Sequence, residues 1–204
     1  MVVFEQIPIP DADVRYLPHL PLGRTTDETM RRLLDEVPWR AEEIVMFGRK
    51  VMQPRLTAWY GDPGCVYSYA GIRLRPRPWS AILFDLKARI EAATAERFNS
   101  VLLNCYRDER DSIGFHSDDE PELGPRPVIA SLSLGAERVF VMKHKTDRKL
   151  PPVRLVLASG SLLLMKGETQ RCWRHGVPKT TRPCGKRVNL TFRCILRRGT
   201  ESAR

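Results

Sequence analysis

Apolar residues along this chain come in short runs broken by Gly and Pro, at 44–47, 66–74, 100–106, 128–134, 138–143, 153–157, 161–165 and 187–196. Runs of this length, rich in β-branched and aromatic side chains, predict strands. Only two segments carry a helical stripe. In the first, Thr25 or Thr26 can cap the start, and Asp27 and Glu28 occupy the first turn, where the helix dipole favours anions. Met30, Leu33, Leu34 and Val37 then recur on one face before Pro38. The second runs from about Trp79 to Glu96, with Ile82, Leu83, Leu86, Ile90 and Ala93 on one side. Many strands and two helices predict a mainly β, α+β fold, a β-sandwich or jelly roll flanked by helices. The stretch through Gly23, rich in Pro and acidic residues, reads as an extended arm lying over the domain.

One strand departs from the ordinary pattern. From Arg187 to Arg193 side chains alternate, with Arg187, Asn189, Thr191 and Arg193 on one face and Val188, Leu190 and Phe192 on the other. With its polar face in water this is a plain amphipathic edge strand. Turned inward, the same face holds two fixed cations that demand an anionic ligand, because unpaired buried charge is costly. Arg grips a carboxylate through a planar two-point fork, so a small dicarboxylate meets the demand. Asn104 and Tyr106 also share a face and offer an amide and a phenol to the same ligand.

A second cluster points to a metal. In an extended segment His116 and Asp118 project to the same side and can meet at one point. Non-haem Fe(II) oxygenases use two His and one carboxylate, leaving positions open for cosubstrate and dioxygen. Of the remaining histidines, His19 lies in the Pro-bounded arm and His144 between Lys143 and Lys145, so both read as surface residues. His175, after the apolar run 161–165 and a turn, is the best third ligand. A metal triad beside a dicarboxylate cradle describes a 2-oxoglutarate oxygenase.

The 204 residues and 23.4 kDa suit a single compact domain. Net charge changes the picture more: 34 Lys and Arg against 24 Asp and Glu leave +10, which favours a polyanionic partner such as nucleic acid. Five cysteines (Cys65, Cys105, Cys172, Cys184 and Cys194), scattered and without a CxxC pair, read as reduced thiols. With no secretory start and no run long enough to span a membrane, the expectation is a soluble intracellular protein without a membrane partner.

In their order, Asn104-x-Tyr106, His116-x-Asp118, His175 and Arg187-x-Asn189-Leu190-Thr191-x-Arg193 resemble the AlkB family of nucleic-acid dealkylases. The likeness runs from about residue 44 to 196. The stretches 53–61 and 116–120 are most similar to the eukaryotic-type branch that repairs 1-methyladenine and 3-methylcytosine. The resemblance implies a double-stranded β-helix, with Fe(II) on His116, Asp118 and His175, and 2-oxoglutarate on Asn104, Tyr106, Arg187, Asn189, Thr191 and Arg193. It implies consumption of dioxygen and oxidative removal of N-alkyl groups from bases in DNA or RNA. A base must leave the stack to reach such a site. Tyr67 and Tyr69 then resemble the pocket wall, Glu120 the contact to the exocyclic amine, and Phe47 an intercalating wedge. Arg49, Lys50, Arg55, Arg73, Arg75 and Arg77 would meet phosphates.

This divides the chain into an N-terminal extension with the first helix over 1–40, nucleotide-recognition hairpins over 41–78 and the oxygenase core over 79–198. It also implies a monomer in the cytoplasm or at the nucleoid, or in the nucleus of a eukaryote. Three other readings stay open: an oxygenase acting on RNA modification or a protein side chain, a non-catalytic nucleic-acid-binding relative, and a zinc hydrolase. The last leaves the Arg187 and Arg193 strand without purpose.

Overall fold

The chain begins with β1 (Glu5–Ile7) and β2 (Asp13–Leu17), followed by α1 (Thr26–Glu36), β3 (Arg40–Met46) and β4 (Arg49–Gly61). Next come β5 (Tyr67–Tyr69), β6 (Ile72–Leu74), α2 (Ala81–Thr94), β7 (Ser100–Tyr106) and β8 (Ile113–His116). The C-terminal half holds β9 (Ile129–Gly135), β10 (Arg138–His144), β11 (Val153–Leu157), β12 (Leu162–Lys166), α3 (Thr169–Cys172), β13 (Trp173–Val177) and β14 (Arg187–Arg193). The computed structural model describes residues 2–46, 49–65, 67–69 and 72–196.

Eight strands form the major sheet in the order β1-β2-β12-β9-β14-β7-β4-β3, and four form a minor sheet in the order β11-β10-β13-β8; β5 and β6 pair as a separate hairpin. Every pairing among the named strands is antiparallel. α1 and α2 pack on one face of the major sheet. There Leu33 of α1 and Ile82, Leu83, Leu86 and Ile90 of α2 join Leu103, Leu132, Leu164 and Leu190 in one core. The other face meets the minor sheet, where Leu163 and Met165 pack with Phe140, Met142 and Trp173. Because β12 sends alternate side chains into both cores, it reads as a continuous apolar run rather than an alternating one. This is the two-sheet, jelly-roll arrangement that the sequence predicts.

Local chemistry explains the helix limits. Thr25 caps α1, its hydroxyl accepting from the Glu28 N–H at 3.1 Å, and Asp27 and Glu28 fill the first turn. The chain leaves α1 at Val37, just before Pro38.

The N-terminal stretch is not an arm lying over the domain. β2 pairs along β12 from Leu17–Leu162 to Asp13–Lys166, and β1 pairs on β2. The reason is edge protection: without β2, the apolar β12 would present unpaired backbone groups. Removing residues 2–17 is therefore expected to abolish the cooperative thermal transition and cause aggregation. A soluble truncated chain melting near the full-length temperature would contradict this.

Candidate metal centre and cosubstrate pocket

β8 and β13 pair so that His116 lies directly across from His175, with a register irregularity just beyond, before Val177. Gly176 makes the close approach feasible, since a Cβ there would sit 2.9 Å from the Ile113 carbonyl oxygen. The two imidazole centroids are 4.5 Å apart. Asp118, two residues past His116 and 1% exposed, places one carboxylate oxygen 4.0 Å from His116 Nε2 and the other 3.7 Å from His175 Nε2. One ligand atom from each of the three lies within 4.8 Å of the others, a geometry that could hold a metal ion.

Protonation suits the same use. His116 Nδ1 donates to the Gly114 carbonyl at 2.9 Å, since a carbonyl only accepts, which leaves Nε2 as the ring nitrogen available to a metal. Burial, reinforced by His116, pushes His175 down to about 3, so its imidazole is neutral at physiological pH. For Asp118 burial acts upward, but Arg193, His175 and His116 outweigh it and hold the carboxyl below its usual range. Arg193 Nη2 contacts Asp118 Oδ1 at 2.5 Å.

Three cross-links tie the segment around Asp118 to the segment leading into His175. Ser117 Oγ donates to the Trp173 carbonyl at 2.9 Å, and the Asp118 N–H donates to Gln170 Oε1 at 3.0 Å. Lys145 Nζ bridges Asp119 Oδ2 and the Gln170 carbonyl, each at 2.8 Å. Gln170 is only 1% exposed. Sequence reasoning missed it, although a polar residue on a short turn five positions before the third histidine was visible. Gln170→Leu removes the acceptor beneath Asp118 and is expected to weaken metal affinity about tenfold to a hundredfold, the range for lost outer-shell partners. Manganese titration followed by electron paramagnetic resonance reads this directly, and unchanged affinity would contradict it.

Beside these residues opens a cavity of about 400 Å³. Its wall is the inward face of β14 and β7, where register sets Arg187 opposite Tyr106 and Asn189 opposite Asn104. The alternating strand is thus buried on both sides: Val188, Leu190 and Phe192 in the helix-covered core, and the polar set at the cavity. Asn189 Nδ2 is held by Ser131 Oγ at 2.7 Å and the Leu132 carbonyl at 3.1 Å, while Thr191 Oγ1 donates to Asn189 Oδ1. Arg187, 1% exposed, spends Nη2 on Ser133 Oγ at 2.9 Å, and its Nε and Nη1 are buried without a hydrogen-bond partner, as is Arg193 Nε. Such orphaned guanidinium donors fit an anionic ligand. Burial, aided by Arg138, pushes Arg187 below its ordinary value, with Tyr106 opposing. The donor set of two imidazoles and a carboxylate, next to Arg187, a buried cation with no carboxylate partner, fits Fe(II) and 2-oxoglutarate together.

The residues assigned to a base and its phosphates divide. Glu120, half-buried, lines the cavity. Arg55 does so too, but its Nε donates to Asn104 Oδ1 at 2.7 Å, so it faces the interior rather than a phosphate surface. Lys50 is exposed and lies 3.6 Å from Glu43, Arg75 is exposed, and Arg77 bridges its backbone to Tyr60. Phe47 lies outside the described residues, as do the side chains of Arg49, Tyr67, Tyr69 and Arg73.

Of the two histidines set aside as surface residues, His19 is exposed. His144 is not: its side chain is 7% exposed, packs edge-on to Trp173 at 5.0 Å and accepts the Asp147 N–H at 2.8 Å. The flanking lysines misled, because β10 pairs His144 with Trp173 across the minor sheet. All five cysteines are free, and no helix among the described residues is long and apolar enough to cross a membrane.

Comparisons with known proteins agree with this geometry. A profile of the 2OG-Fe(II) oxygenase superfamily matches residues 13–193. The chain is 45% identical over 180 residues to alpha-ketoglutarate-dependent dioxygenase alkB homolog 3 of Rattus norvegicus, aligning 84% of this chain with 60% of that protein. It is 42% identical over 179 residues to the DNA oxidative demethylase ALKBH2 of Homo sapiens, covering 83% and 69% respectively. The chain therefore spans about 60% of the length of the alkB homolog 3 proteins it matches. In fold it is similar to the solved structure of OsALKBH1, with a TM-score of 0.62 at 21% identity, covering 92% of this chain and all of that one. With the site geometry and these likenesses together, the chain belongs to the 2OG-Fe(II) oxygenase superfamily and, within it, to the AlkB family of eukaryotic type.

Proposed function

We propose that this protein removes N-alkyl groups, of the 1-methyladenine and 3-methylcytosine type, from bases in DNA or RNA by oxidising the alkyl carbon with consumption of 2-oxoglutarate. The observation that carries the reading is the His116, Asp118 and His175 cluster, its ligand atoms within 4.8 Å, opening onto a cavity that contains the unpartnered Arg187 donors. Similarity to a protein named DNA oxidative demethylase supports the substrate class, as does the +10 charge.

In this reading His116, Asp118 and His175 hold Fe(II), which with 2-oxoglutarate and dioxygen supplies the oxidising power. Arg187 takes the cosubstrate's distal carboxylate, with Tyr106 and Asn189 alongside, and Asn104, Thr191 and Arg193 complete the cradle. Ser131 and the Leu132 carbonyl fix the Asn189 amide, so little reorganisation accompanies binding. Arg55 orients the Asn104 amide by donating to its oxygen, which directs the Asn104 NH2 group away from that bond. Glu120, at the cavity wall, accepts from the exocyclic amine of an extruded base. Tyr67 and Tyr69 stack on that base, while Phe47 and the basic residues Arg49, Lys50, Arg73, Arg75 and Arg77 engage the strand. The hydroxylated alkyl group leaves as an aldehyde and the base recovers its pairing edge.

Incubation with Fe(II), 2-oxoglutarate and methylated oligonucleotides, single-stranded and duplex, DNA and RNA, tests this. Expected products are formaldehyde, succinate and the restored base in stoichiometric amounts. Absence of turnover on every methylated strand, with 2-oxoglutarate still consumed, would shift the substrate to a protein side chain.

A further inference from the structure

Arg138 opens β10 at 3% exposure, yet its hydrogen bonds go to backbone carbonyls and none to a carboxylate. Its Nη1 donates to the Asp108 carbonyl at 3.1 Å, and its Nη2 to the carbonyls of Asp111 at 2.8 Å and Pro178 at 2.7 Å. The Asp111 carboxylate is engaged elsewhere, by Arg107 Nε at 2.8 Å and Nη2 at 2.9 Å. A guanidinium whose hydrogen bonds all go to carbonyls has no directly bonded anion, in a place where charge is costly.

The two buried guanidiniums converge on one aromatic ring. The Arg138 guanidinium carbon lies 5.7 Å from the Tyr106 centroid and that of Arg187 lies 5.1 Å from it. At the other end of the cavity Arg193 is balanced by Asp118. Positive charge therefore accumulates at the Arg187 end, beyond what one carboxylate contact needs. Attraction across a ring in a poorly solvated interior is screened much less than in water.

We propose that Arg138 is a specificity-determining positioning residue whose charge, acting across the Tyr106 ring, makes the Arg187 end of the cavity prefer a 2-oxo acid bearing a second carboxylate over one with a neutral tail. The inference rests on the oxygenase reading above and concerns binding, not turnover. A purely structural role, tying the loop before β8 to the chain after β13, predicts instead that loss of Arg138 weakens all ligands alike.

The test is equilibrium binding of 2-oxoglutarate and of 2-oxopentanoate, which has a methyl in place of the distal carboxylate, to the Mn(II)-loaded protein. Arg138→Gln keeps donors for the carbonyls but removes the charge, and Arg138→Lys keeps the charge. The Gln variant is expected to bind 2-oxoglutarate about tenfold more weakly while 2-oxopentanoate changes less than about twofold; the Lys variant keeps the wild-type ratio within about twofold. Equal losses for both acids in the Gln variant, or a lost preference in the Lys variant, would overturn the proposal. If the Gln variant has no cooperative melt, Arg138→Asn, a second neutral donor, takes its place in the same comparison, with the same outcomes expected and excluded. Wild-type protein that binds neither acid would sink the oxygenase reading itself, whereas wild-type binding with one ratio across all variants sinks only this inference.

Discussion

Asp118→Ala is expected to lower turnover by at least about a thousandfold, well beyond the tenfold to hundredfold typical of outer-shell losses. Its carboxylate sits between both imidazoles and is the single acidic member of the cluster, so its loss leaves a divalent cation two imidazoles and no anionic ligand. The change also strands Arg193, whose side chain is 13% exposed and whose Nε already has no partner. Breaking one half of a buried pair costs about 3 kcal/mol, so a lower melting temperature should accompany the lost activity. Nucleic-acid affinity should stay within about twofold of wild type, because a carboxylate this buried touches no phosphate. Succinate release, thermal melting and oligonucleotide binding measured together check all three effects. Unchanged turnover would refute the metal assignment.

Arg187→Met should separate function from stability in the opposite sense. The guanidinium is 1% exposed, donates from Nη2 to Ser133 Oγ and buries Nε and Nη1 without a hydrogen-bond partner. Replacing a poorly satisfied buried charge by an apolar side chain of similar length is expected to stabilise the ligand-free protein by about 1 kcal/mol. The same change removes the fork that meets a carboxylate, so apparent affinity for 2-oxoglutarate should fall about a hundredfold or more. Addition of cosubstrate should then raise the melting temperature of wild type but not of the variant. A variant that melts lower and still binds 2-oxoglutarate normally would show that Arg187 serves packing instead.

Where the sequence was informative, a short-range pattern carried the information. The period-two alternation of β14 survives in the structure because both its faces are buried against different surroundings, one apolar and one polar. The pair His116 and Asp118 was legible for the same local reason, while the cross-strand meeting with His175 depends on pairing that no local pattern encodes. β4 was hidden by Pro54, which usually breaks strands. The structure accommodates it at an irregularity, where the pairing with β3 jumps from Met52–Glu43 to Leu56–Ala41 and no ladder N–H is required. β2 was hidden because its stability comes from β12, more than a hundred residues away. Gln170 and Arg138 escaped notice because what marks them is burial with particular backbone partners, not residue type or spacing.

The central claim is that three side chains from β8, its following loop and β13 share one metal while Arg187 holds an organic diacid next to it. Anomalous diffraction from crystals soaked with Mn(II) and N-oxalylglycine, stand-ins for Fe(II) and 2-oxoglutarate, tests it most directly. The account predicts a single strong peak within bonding distance of His116 Nε2, the Asp118 carboxylate and His175 Nε2, with the analogue's distal carboxylate against Arg187. A peak elsewhere, or an analogue whose distal carboxylate lies away from Arg187, would contradict it.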